Sequence, residues 1–570
     1  MGNRFLYHRS LTGFILLAIS ELVHASTPVS PADQETITQQ QKALLQQAQQ
    51  QRETLRNNIT LPPSPDVTPS TEESICHTIH RIEFDGAKNL PRSIKEHLTR
   101  PYLSHCLSLQ DINALVRKTT NAYIERGYVT SRAKLIAQDL SSGVLIITVH
   151  EGKVESISLD GETPLSLKMA FPRMVGKTLN LRDIEQGMER LNRLPSQQVT
   201  IDIQPGKQPG YSTVILKRTS IRLPISASLG ADNSGQKGTG VGQINTSVNL
   251  DNPLHLADQW ALSASRNSDF RNSHQSRSLS ANVTVPYGYW LFSYQYAWND
   301  SFQNIPTGSQ TYRYTGDSQT HRLTVNRTLY RDGEQKLALD MGLTRRQTTN
   351  LLAEETLSIS SPTLSTISFG VNYNTVLAGS YITFNPMVSH GLQVLGATKD
   401  DPRFPDAPRS QFRKFSLSAS YFMPVTDSVY YLSSIYGQTT PDNLYASERL
   451  SLGGQYSVRG FKEQYLTGNR GGYWRNELNW RVSELPILGE LALTGALDTG
   501  WLRGKTGQIE GGNVTGAALG LSLTHPRFSQ TITIGKPLIH PDHLKPDHWV
   551  TYWSVSLTLS HLNSTKGIVR

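Results

Sequence analysis

The stretch WLFSYQYAW, residues 290–298, decides the fold. Successive side chains of a β-strand point to opposite sides of the strand. In this stretch the smaller side chains of leucine, serine, glutamine and alanine occupy one side. The other side carries only aromatic residues, at every second position: Trp290, Phe292, Tyr294, Tyr296 and Trp298. This alternation predicts a strand with one apolar, aromatic face.

The same alternation recurs from about residue 221 onward, where helical periodicity disappears. Apolar and small polar residues alternate in KFSLSASY (residues 414–421) and in WSVSLTLS (residues 553–560). A soluble β-sandwich also alternates, but the aromatic-rich face suits the interfacial girdles of a transmembrane β-barrel. The expected fold is therefore mainly β, with a barrel over residues 220–570. About 350 residues, at roughly 20 per strand with its turn, allow about sixteen strands.

The N-terminus predicts export. Two arginines precede the apolar run at residues 11–19, which is too short to span a bilayer, and residues 23–25 resemble a cleavage site. Residues 1–25 are therefore interpreted as a signal peptide, with a short membrane anchor as the less favoured alternative. No later apolar run reaches the length of a membrane helix. The net charge of +9 comes without a Lys/Arg-rich run, so it does not predict nucleic-acid binding.

The chain contains only two cysteines, Cys76 and Cys106. In an oxidising compartment we expect them to form a disulfide bond. Closing a loop of about 30 residues would stabilise the local fold by roughly 3–4 kcal/mol. Two buried free thiols are the alternative. Two cysteines do not make up a zinc ligand set, so no metal site is expected.

Residues 26–59 are rich in glutamine. Ser30 is placed as the N-cap of a helix, with Pro31 at the first helical position and Asp33 near the positive end of the helix dipole. A helix over residues 31–58 would be roughly 40 Å long, enough to cross a bilayer, but it is far too polar to face lipid. It would either plug a water-filled pore or form a solvated arm.

Residues 60–75 contain four prolines and predict an extended linker without a packed core. Residues 76–219 then show a mixed α/β pattern that repeats, with units of about 70 residues in which strands and amphipathic helices follow each other. Two tandem modules, over residues 76–152 and 153–219, fit this repeat better than one domain.

This order of parts resembles the two-partner secretion transporters, the TpsB family of the ShlB/FhaC/HecB type, within the superfamily of POTRA-plus-barrel insertases and translocases. In that family a signal, a glutamine-rich helix, a proline-rich linker, two POTRA modules and a barrel follow each other. One departure is that the chain ends in NSTKGIVR, without the terminal aromatic residue usual in such barrels. The motifs that carry the resemblance are PGKQPGYSTVIL (205–216), ADNSGQKGTG (231–240), LDNPLHLADQ (250–259), SVRGF (457–461), GGYWRNEL (471–478), ALDTGWL (496–502) and GKPLIHP (535–541).

The resemblance implies a function in the outer membrane of a Gram-negative bacterium, with the POTRA modules in the periplasm. Such a barrel exports one large TpsA-type partner, a haemolysin, adhesin or contact-dependent toxin, to the cell surface. Outer-membrane lipid, the barrel-assembly machinery and periplasmic chaperones are further expected partners. No cofactor and no nucleic acid is expected. The sequence contains no G-x-x-x-x-G-K loop, H-E-x-x-H motif or nucleophile elbow, so an enzyme is not expected.

Two other functions stay open. An outer-membrane protein insertase of the same superfamily usually has more POTRA modules and lacks the glutamine-rich helix. A passive porin or adhesin barrel would have no POTRA modules. A neighbouring gene for a very large exported protein would separate the transporter from both.

The resemblance also implies a functional pair. In the family, a V-R-G-F loop folds back into the barrel and its arginine meets an aspartate of the inner wall. By motif these residues are Arg459 and Asp498, and Val458, Gly460 and Phe461 complete the signature loop. A bidentate carboxylate suits a partly desolvated arginine. The alternative is a solvated arginine in a surface loop.

Two further residues of the motif GGYWRNEL, Glu477 and Arg475, are candidates for the same network of charges. None of these residues is expected to be catalytic, and none is expected to bind a metal ion.

Overall fold

The computed structural model of the protein describes residues 29–56, 76–219, 222–307, 310–504 and 511–559. The predicted signal peptide, the proline-rich linker and the C-terminal sequence NSTKGIVR lie outside the described residues. Within these ranges one long helix, two small α/β modules and a closed barrel follow each other. None of the helices in the described ranges is both long and apolar enough to cross a membrane.

Helix α1 (Pro31–Arg56) is the glutamine-rich helix. The Ser30 hydroxyl accepts a hydrogen bond from the backbone N–H of Asp33 at 3.1 Å and donates one to the Asp33 carboxylate at 2.7 Å. Ser30 therefore acts as the predicted N-cap and satisfies one of the N–H groups that a first turn leaves unpaired. At about 1.5 Å per residue, the helix is about 39 Å long.

The first module contains one three-stranded sheet and one separate strand pair. In the sheet, β2 runs parallel to β5 and β4 antiparallel to it. The separate pair, β1 with β3, is joined by the predicted Cys76–Cys106 disulfide. These two strands are only four residues long, too short to show a period, and the sequence analysis missed them. The elements are β1 (Cys76–Ile79), β2 (Arg81–Asp85), α2 (Arg92–Thr99), β3 (His105–Ser108), α3 (Leu109–Glu125), β4 (Arg132–Leu135) and β5 (Val144–His150).

The second module repeats this plan with one three-stranded sheet, in the order β6, β8, β7. β6 runs parallel to β8, and β7 and β8 form an antiparallel hairpin. Helix α5 covers this sheet with Ile184 and Leu191, both fully buried. The elements are β6 (Lys153–Leu159), α4 (Leu165–Ala170), α5 (Leu181–Asn192), β7 (Val199–Pro205) and β8 (Tyr211–Arg218).

Sixteen antiparallel strands form a closed barrel, as the sequence predicts. Each strand pairs with the next in the chain, and β27 pairs with β9 to close the ring. The first half of the wall consists of β9 (Ile225–Asp232), β10 (Gln243–Asp251), β11 (Gln259–Asn267), β12 (His274–Tyr287), β13 (Trp290–Thr307), β14 (Gln310–Arg331), β15 (Gln335–Leu352), with a short extension β16 (Glu355–Thr356), and β17 (Thr363–Leu377).

The second half of the wall contains an interruption, because two short strands form a hairpin in the connection between β20 and β23 rather than in the wall. The wall strands are β18 (Ser380–Leu392), β19 (Arg413–Pro424), β20 (Val429–Thr439), β23 (Gly471–Leu485), β24 (Gly489–Leu502), β25 (Gly512–His525), β26 (Phe528–Ile539) and β27 (Val550–Leu559). The hairpin consists of β21 (Leu450–Leu452) and β22 (Leu466–Gly468).

The aromatic face of residues 290–298 points outward. Phe292 and Tyr294 are 42% and 44% exposed, whereas Ala297 and Asn299 on the opposite face are buried. A closed ladder with an apolar exterior and a polar interior is the arrangement that a lipid environment requires of strands.

The two ends of the barrel differ. At one end short turns join the strands, for example residues 378–379 between β17 and β18, and the second module contacts this end. At the other end the connections include residues 393–412 and 440–470. Transmembrane barrels have short periplasmic turns and long extracellular loops, so the second module lies on the periplasmic side.

Helix α5 fixes the second module to the turn end of the barrel. Arg190 donates to the carbonyl of Gly288 at 3.1 Å, and Glu189 lies 3.0 Å from Arg331 and 2.6 Å from Lys336. Burial alone would raise the pKa of Glu189, but the neighbouring cations outweigh it and hold that pKa at about 2. The interface therefore stays ionised at neutral pH.

Candidate functional site in the barrel lumen

The structure places α1 inside the barrel. Its first turn borders a cavity at the loop end, beside Tyr314 and Arg449, and its last turns border a cavity of about 600 Å³ at the turn end, beside α5. Between these ends the helix packs against β13 to β15 and β17 to β19. It therefore runs through the lumen from the loop end to the turn end.

Four glutamines attach α1 to its surroundings by side-chain amide donors, and the first of them, Gln39, donates to Asn299 of the inner wall at 3.4 Å. Gln47 donates to Asn372 at 3.0 Å and Gln51 donates to Asn385 at 2.9 Å, both on the inner wall. Gln41 donates to a backbone carbonyl of β21 at 2.8 Å. Glutamine makes these bonds without placing a full charge in the lumen.

The connection between β20 and β23, residues 440–470, also folds back into the lumen. Its hairpin presents residues 453–464, the signature loop, to the inner wall. Val458 and Phe461 of this loop are fully buried, and the Phe461 carbonyl accepts a hydrogen bond from the Tyr552 hydroxyl at 2.9 Å. Apolar residues of the hairpin, the wall and the connection between β26 and β27 form one cluster, which contains Leu450, Leu452, Val458, Phe461, Leu466, Tyr473, Leu502, Val514 and Leu544.

Arg459 holds the carboxylate of Asp498 with two parallel bonds. Its Nε lies 2.6 Å from Asp498 Oδ2 and its Nη2 lies 2.7 Å from Oδ1, and its backbone N–H donates to Oδ2 at 3.1 Å. The two side chains are 7% and 0% exposed. The planar guanidinium fork matches a carboxylate in this way, which the point charge of a lysine cannot do.

Glu477 and Arg475 join the same network. The third nitrogen of Arg459 lies 3.0 Å from Glu477, and Arg475 donates to Glu477 at 2.8 Å and to the loop carbonyl of Gln455 at 2.8 Å. Two arginines thus face two carboxylates. Buried charges are tolerated when they are paired in this way.

Two glycines of the wall make room for the loop, and the sequence analysis assigned neither to the site. A Cβ atom at Gly516 would lie 1.8 Å from the Arg459 carbonyl oxygen, and one at Gly535 would lie 2.8 Å from the Gly460 nitrogen. Gly535 belongs to the quoted motif GKPLIHP, but Gly516 lies in an ordinary run of small residues. Only the fold shows that both face the same loop.

Gly460 is required by the loop itself. Its φ is +103°, and a Cβ atom there would lie 2.7 Å from the carbonyl group of Lys536. Any other residue would meet both the backbone strain of positive φ and a clash with the wall. The arrangement has no nucleophile beside a base, and among the residues the structure describes no group of His, Cys, Asp and Glu is placed to hold a metal ion.

Models of known families match most of the chain. The family described as haemolysin secretion/activation protein ShlB/FhaC/HecB matches residues 210–523. The ShlB-type POTRA domain matches residues 77–152, and a further POTRA domain matches residues 153–205.

Individual relatives agree with these models. The outer membrane transporter CdiB of Escherichia coli strain 536 is 45% identical over 552 residues, which cover 95% of this chain and 94% of that protein. The haemolysin transporter protein ShlB of Serratia marcescens is 30% identical over 451 residues, covering 78% of this chain and 79% of that protein. The solved structure of CdiB from Escherichia coli superimposes with a TM-score of 0.90 at 44% identity, covering 94% of this chain and 100% of that chain.

Proposed function

Because the chain belongs to the ShlB/FhaC/HecB family of haemolysin secretion/activation proteins, and is therefore an outer-membrane transporter of a large partner protein, we propose that α1 and the signature loop close its pore at rest. The family decides between the transporter and the insertase or passive porin that the sequence left open. The observation that carries the proposal is the course of α1 through the lumen, where polar side chains attach it to the wall.

The contacts of α1 are of a kind that can be exchanged. Hydrogen bonds to water replace those of Gln47 and Gln51 when the helix leaves, so each contributes only about 0.5–1.5 kcal/mol to its retention. An apolar interface of the same length would hold the helix far more tightly. A polar plug is thus removable while the wall, a closed ladder of strands, stays intact.

The cargo belongs, on this proposal, to the class that CdiB-type transporters export, the contact-dependent inhibition toxins. Support comes from the identity of 45% to the CdiB transporter, against 30% to the haemolysin transporter ShlB. No catalytic step is part of the proposal. The free energy for export comes from folding of the cargo outside the cell.

The first module offers a place where an extended cargo segment can add as a strand. β2 and β4 are the two edge strands of its sheet, and the nearby Ile136 and Ile146 are 53% and 39% exposed. At β4 the backbone N–H of Ala133 already donates to the Thr120 hydroxyl at 3.0 Å. Strand addition uses the remaining backbone groups of such an edge for affinity and apolar contacts for specificity. The barrel-assembly machinery and periplasmic chaperones are the partners we propose for insertion of the barrel itself.

An export assay tests the proposal. The chain is expressed with a contact-dependent inhibition toxin of a CdiB system, or with a haemolysin, in a Gram-negative host that lacks transporters of this family, and cargo at the cell surface is quantified at matched barrel levels. We expect export of the toxin and not of the haemolysin. Equal export of the haemolysin would overturn the cargo class, and no export of either would overturn the transport function of this chain.

A further inference from the structure

A second charged contact attaches the folded-in connection to the wall, at Glu448, which precedes the signature loop in the same connection. Glu448 lies in a short 3₁₀ turn, Ala446–Glu448. One of its oxygens is 2.7 Å from Arg346 on β15, and the other is 2.5 Å from Lys414 on β19. The three side chains are between 4% and 11% exposed. This is a buried ion triad in which two wall cations share one carboxylate.

The triad lies beside α1. The helix packs against the turn Ala446–Glu448. Three residues further on, in β21, the carbonyl of Ser451 accepts the hydrogen bond from Gln41 of α1. Ser451 itself is 1% exposed, so this bond is shielded from water. The segment that touches the helix is therefore held between two anchors, Glu448 before it and Arg459 after it.

Two charged contacts restrain the hairpin more completely than one contact can. The pair of Arg459 with Asp498 fixes the tip of the hairpin, but Leu450 at the start of β21 lies nine residues before Arg459. A hairpin fixed only at its tip can pivot and carry the Ser451 carbonyl away from Gln41. The Glu448 contact is made to β15 and β19, whereas the wall residue of the first pair, Asp498, lies on β24.

We propose that Glu448 is a positioning residue for gating: its contact with Arg346 and Lys414 fixes the base of the hairpin and thereby keeps α1 in the lumen, independently of the Arg459–Asp498 pair. The proposal rests on the closure of the pore by α1 proposed above. Transport then requires that the triad opens or that α1 slides past it before cargo enters.

The test is the substitution Glu448→Gln, which keeps the size of the side chain and removes its charge. We expect the fraction of time that the reconstituted barrel spends open in a planar bilayer to rise at least tenfold. The matched control is Asp401→Asn, which removes one negative charge from a neighbouring outer connection where the partner Arg403 is 82% exposed. The control should leave the open fraction unchanged.

Two further variants separate gating from a general effect on the wall. In a chain lacking residues 31–56, Glu448→Gln should add nothing, since the helix that it retains is gone. If conductance rises as much in that background, the triad only shapes the wall and the inference is overturned. Glu448→Asp should restore part of the closure, and failure of this conservative variant to differ from Glu448→Gln would also count against it.

Folding of each variant is verified by the heat-dependent shift of the folded barrel in gel electrophoresis. Should Glu448→Gln fail to fold, the triad is broken from the side of the wall by combining Arg346→Met with Lys414→Met. We expect this double variant to show the same increase in the open fraction. If deletion of residues 31–56 leaves conductance unchanged, the proposed closure fails. If deletion opens the pore and the triad variants do not, only the present inference fails.

Discussion

Arg475 and Asp498 face each other across the β23–β24 ladder, yet Asp498 pairs with Arg459 of the signature loop while Arg475 turns to Glu477. The wall thus carries a second arginine within reach of the docking carboxylate. Loss of the loop would not leave Asp498 without a cation, because Arg475 lies opposite it. The Asp498 carboxylate can therefore be paired either with Arg459 of the docked loop or with Arg475 of the wall.

This relationship makes the two single substitutions unequal. In Arg459→Ala, Arg475 can pair with Asp498, so the carboxylate on the wall keeps a cation. The loop, however, has lost the guanidinium group that bound it to the wall. Since the carboxylate keeps a cation, the cost is that of the lost charge-assisted hydrogen bonds, about 1.5–3 kcal/mol, so the docked state should weaken by about tenfold to a hundredfold. Asp498→Ala leaves Arg459 with Glu477 at 3.0 Å and should release the loop less. Export at matched barrel levels and protease access to the loop measure both effects, and export at the wild-type level from Arg459→Ala would refute loop docking.

The double substitution tests whether the two residues act through each other. If they do, Arg459→Ala combined with Asp498→Ala should lose much less export than the sum of the single losses in free-energy terms. The barrel should still insert, because its stability rests on the closed ladder rather than on one loop. Strictly additive losses would show that the residues act separately.

Arg459→Lys isolates the geometry of the fork from its charge. Lysine keeps the positive charge but cannot donate in parallel to Oδ1 and Oδ2 of Asp498. We expect export between that of the wild type and that of Arg459→Ala. Full export from the lysine variant would mean that the charge alone holds the loop.

The wall glycine opposite the loop offers a test without any change of charge. Gly516→Ala puts a methyl group 1.8 Å from the Arg459 carbonyl, so the loop must shift. Overpacking typically costs about 1–3 kcal/mol, and we expect loop protection against protease to fall about tenfold. Gly495→Ala on β24 is the matched control, since a Cβ atom there meets nothing within 4 Å. Equal protection in the two variants would show that the loop does not press on the wall.

Much of this architecture is visible in the sequence, for identifiable reasons. The period of two in residues 290–298 follows from a wall with lipid on one side and water on the other. The pairing of Arg459 with Asp498 came from the resemblance to the family, in which the arginine of a V-R-G-F loop meets an aspartate of the inner wall. The start of α1 could be predicted from Ser30, Pro31 and Asp33, since capping is a local interaction.

The rest depends on register and closure, which the sequence does not show. Gly516 is one small residue among several until β25 is placed behind the loop. Glu448 resembles any loop carboxylate until β15 and β19 are brought together around it. The glutamines of α1 are indistinguishable by composition, and only the position of the helix in the lumen selects Gln47 and Gln51.

The disulfide of the first module should stabilise that module locally. Cys76 and Cys106 join β1 to β3, a pair of strands with only four residues each. Replacing both cysteines by serine should cost roughly 3–4 kcal/mol, seen as faster hydrogen exchange in the first module of the full chain. The second module serves as the internal control, and unchanged exchange in the first would contradict a stabilising role.

The retention of α1 by its glutamines is the most direct test of the plug. Gln47 and Gln51 are one turn apart, so they lie on the same face of the helix and reach β17 and β18 together. Replacing both by alanine keeps helix propensity and removes three hydrogen bonds to the wall, worth about 3 kcal/mol in total. We therefore expect the open fraction in planar bilayers to rise by about a hundredfold, short of the effect of deleting residues 31–56.

The matched control replaces Gln46 and Gln50, which are exposed on another face of α1. It removes the same number of amide groups and should leave the open fraction unchanged. If both pairs of substitutions open the pore equally, the helix is held by its bulk rather than by these contacts.

Export should survive in all of these variants, because a plug that must leave before cargo enters is not needed for the passage itself. Loss of export together with an open pore would instead assign α1 a part in guiding the cargo.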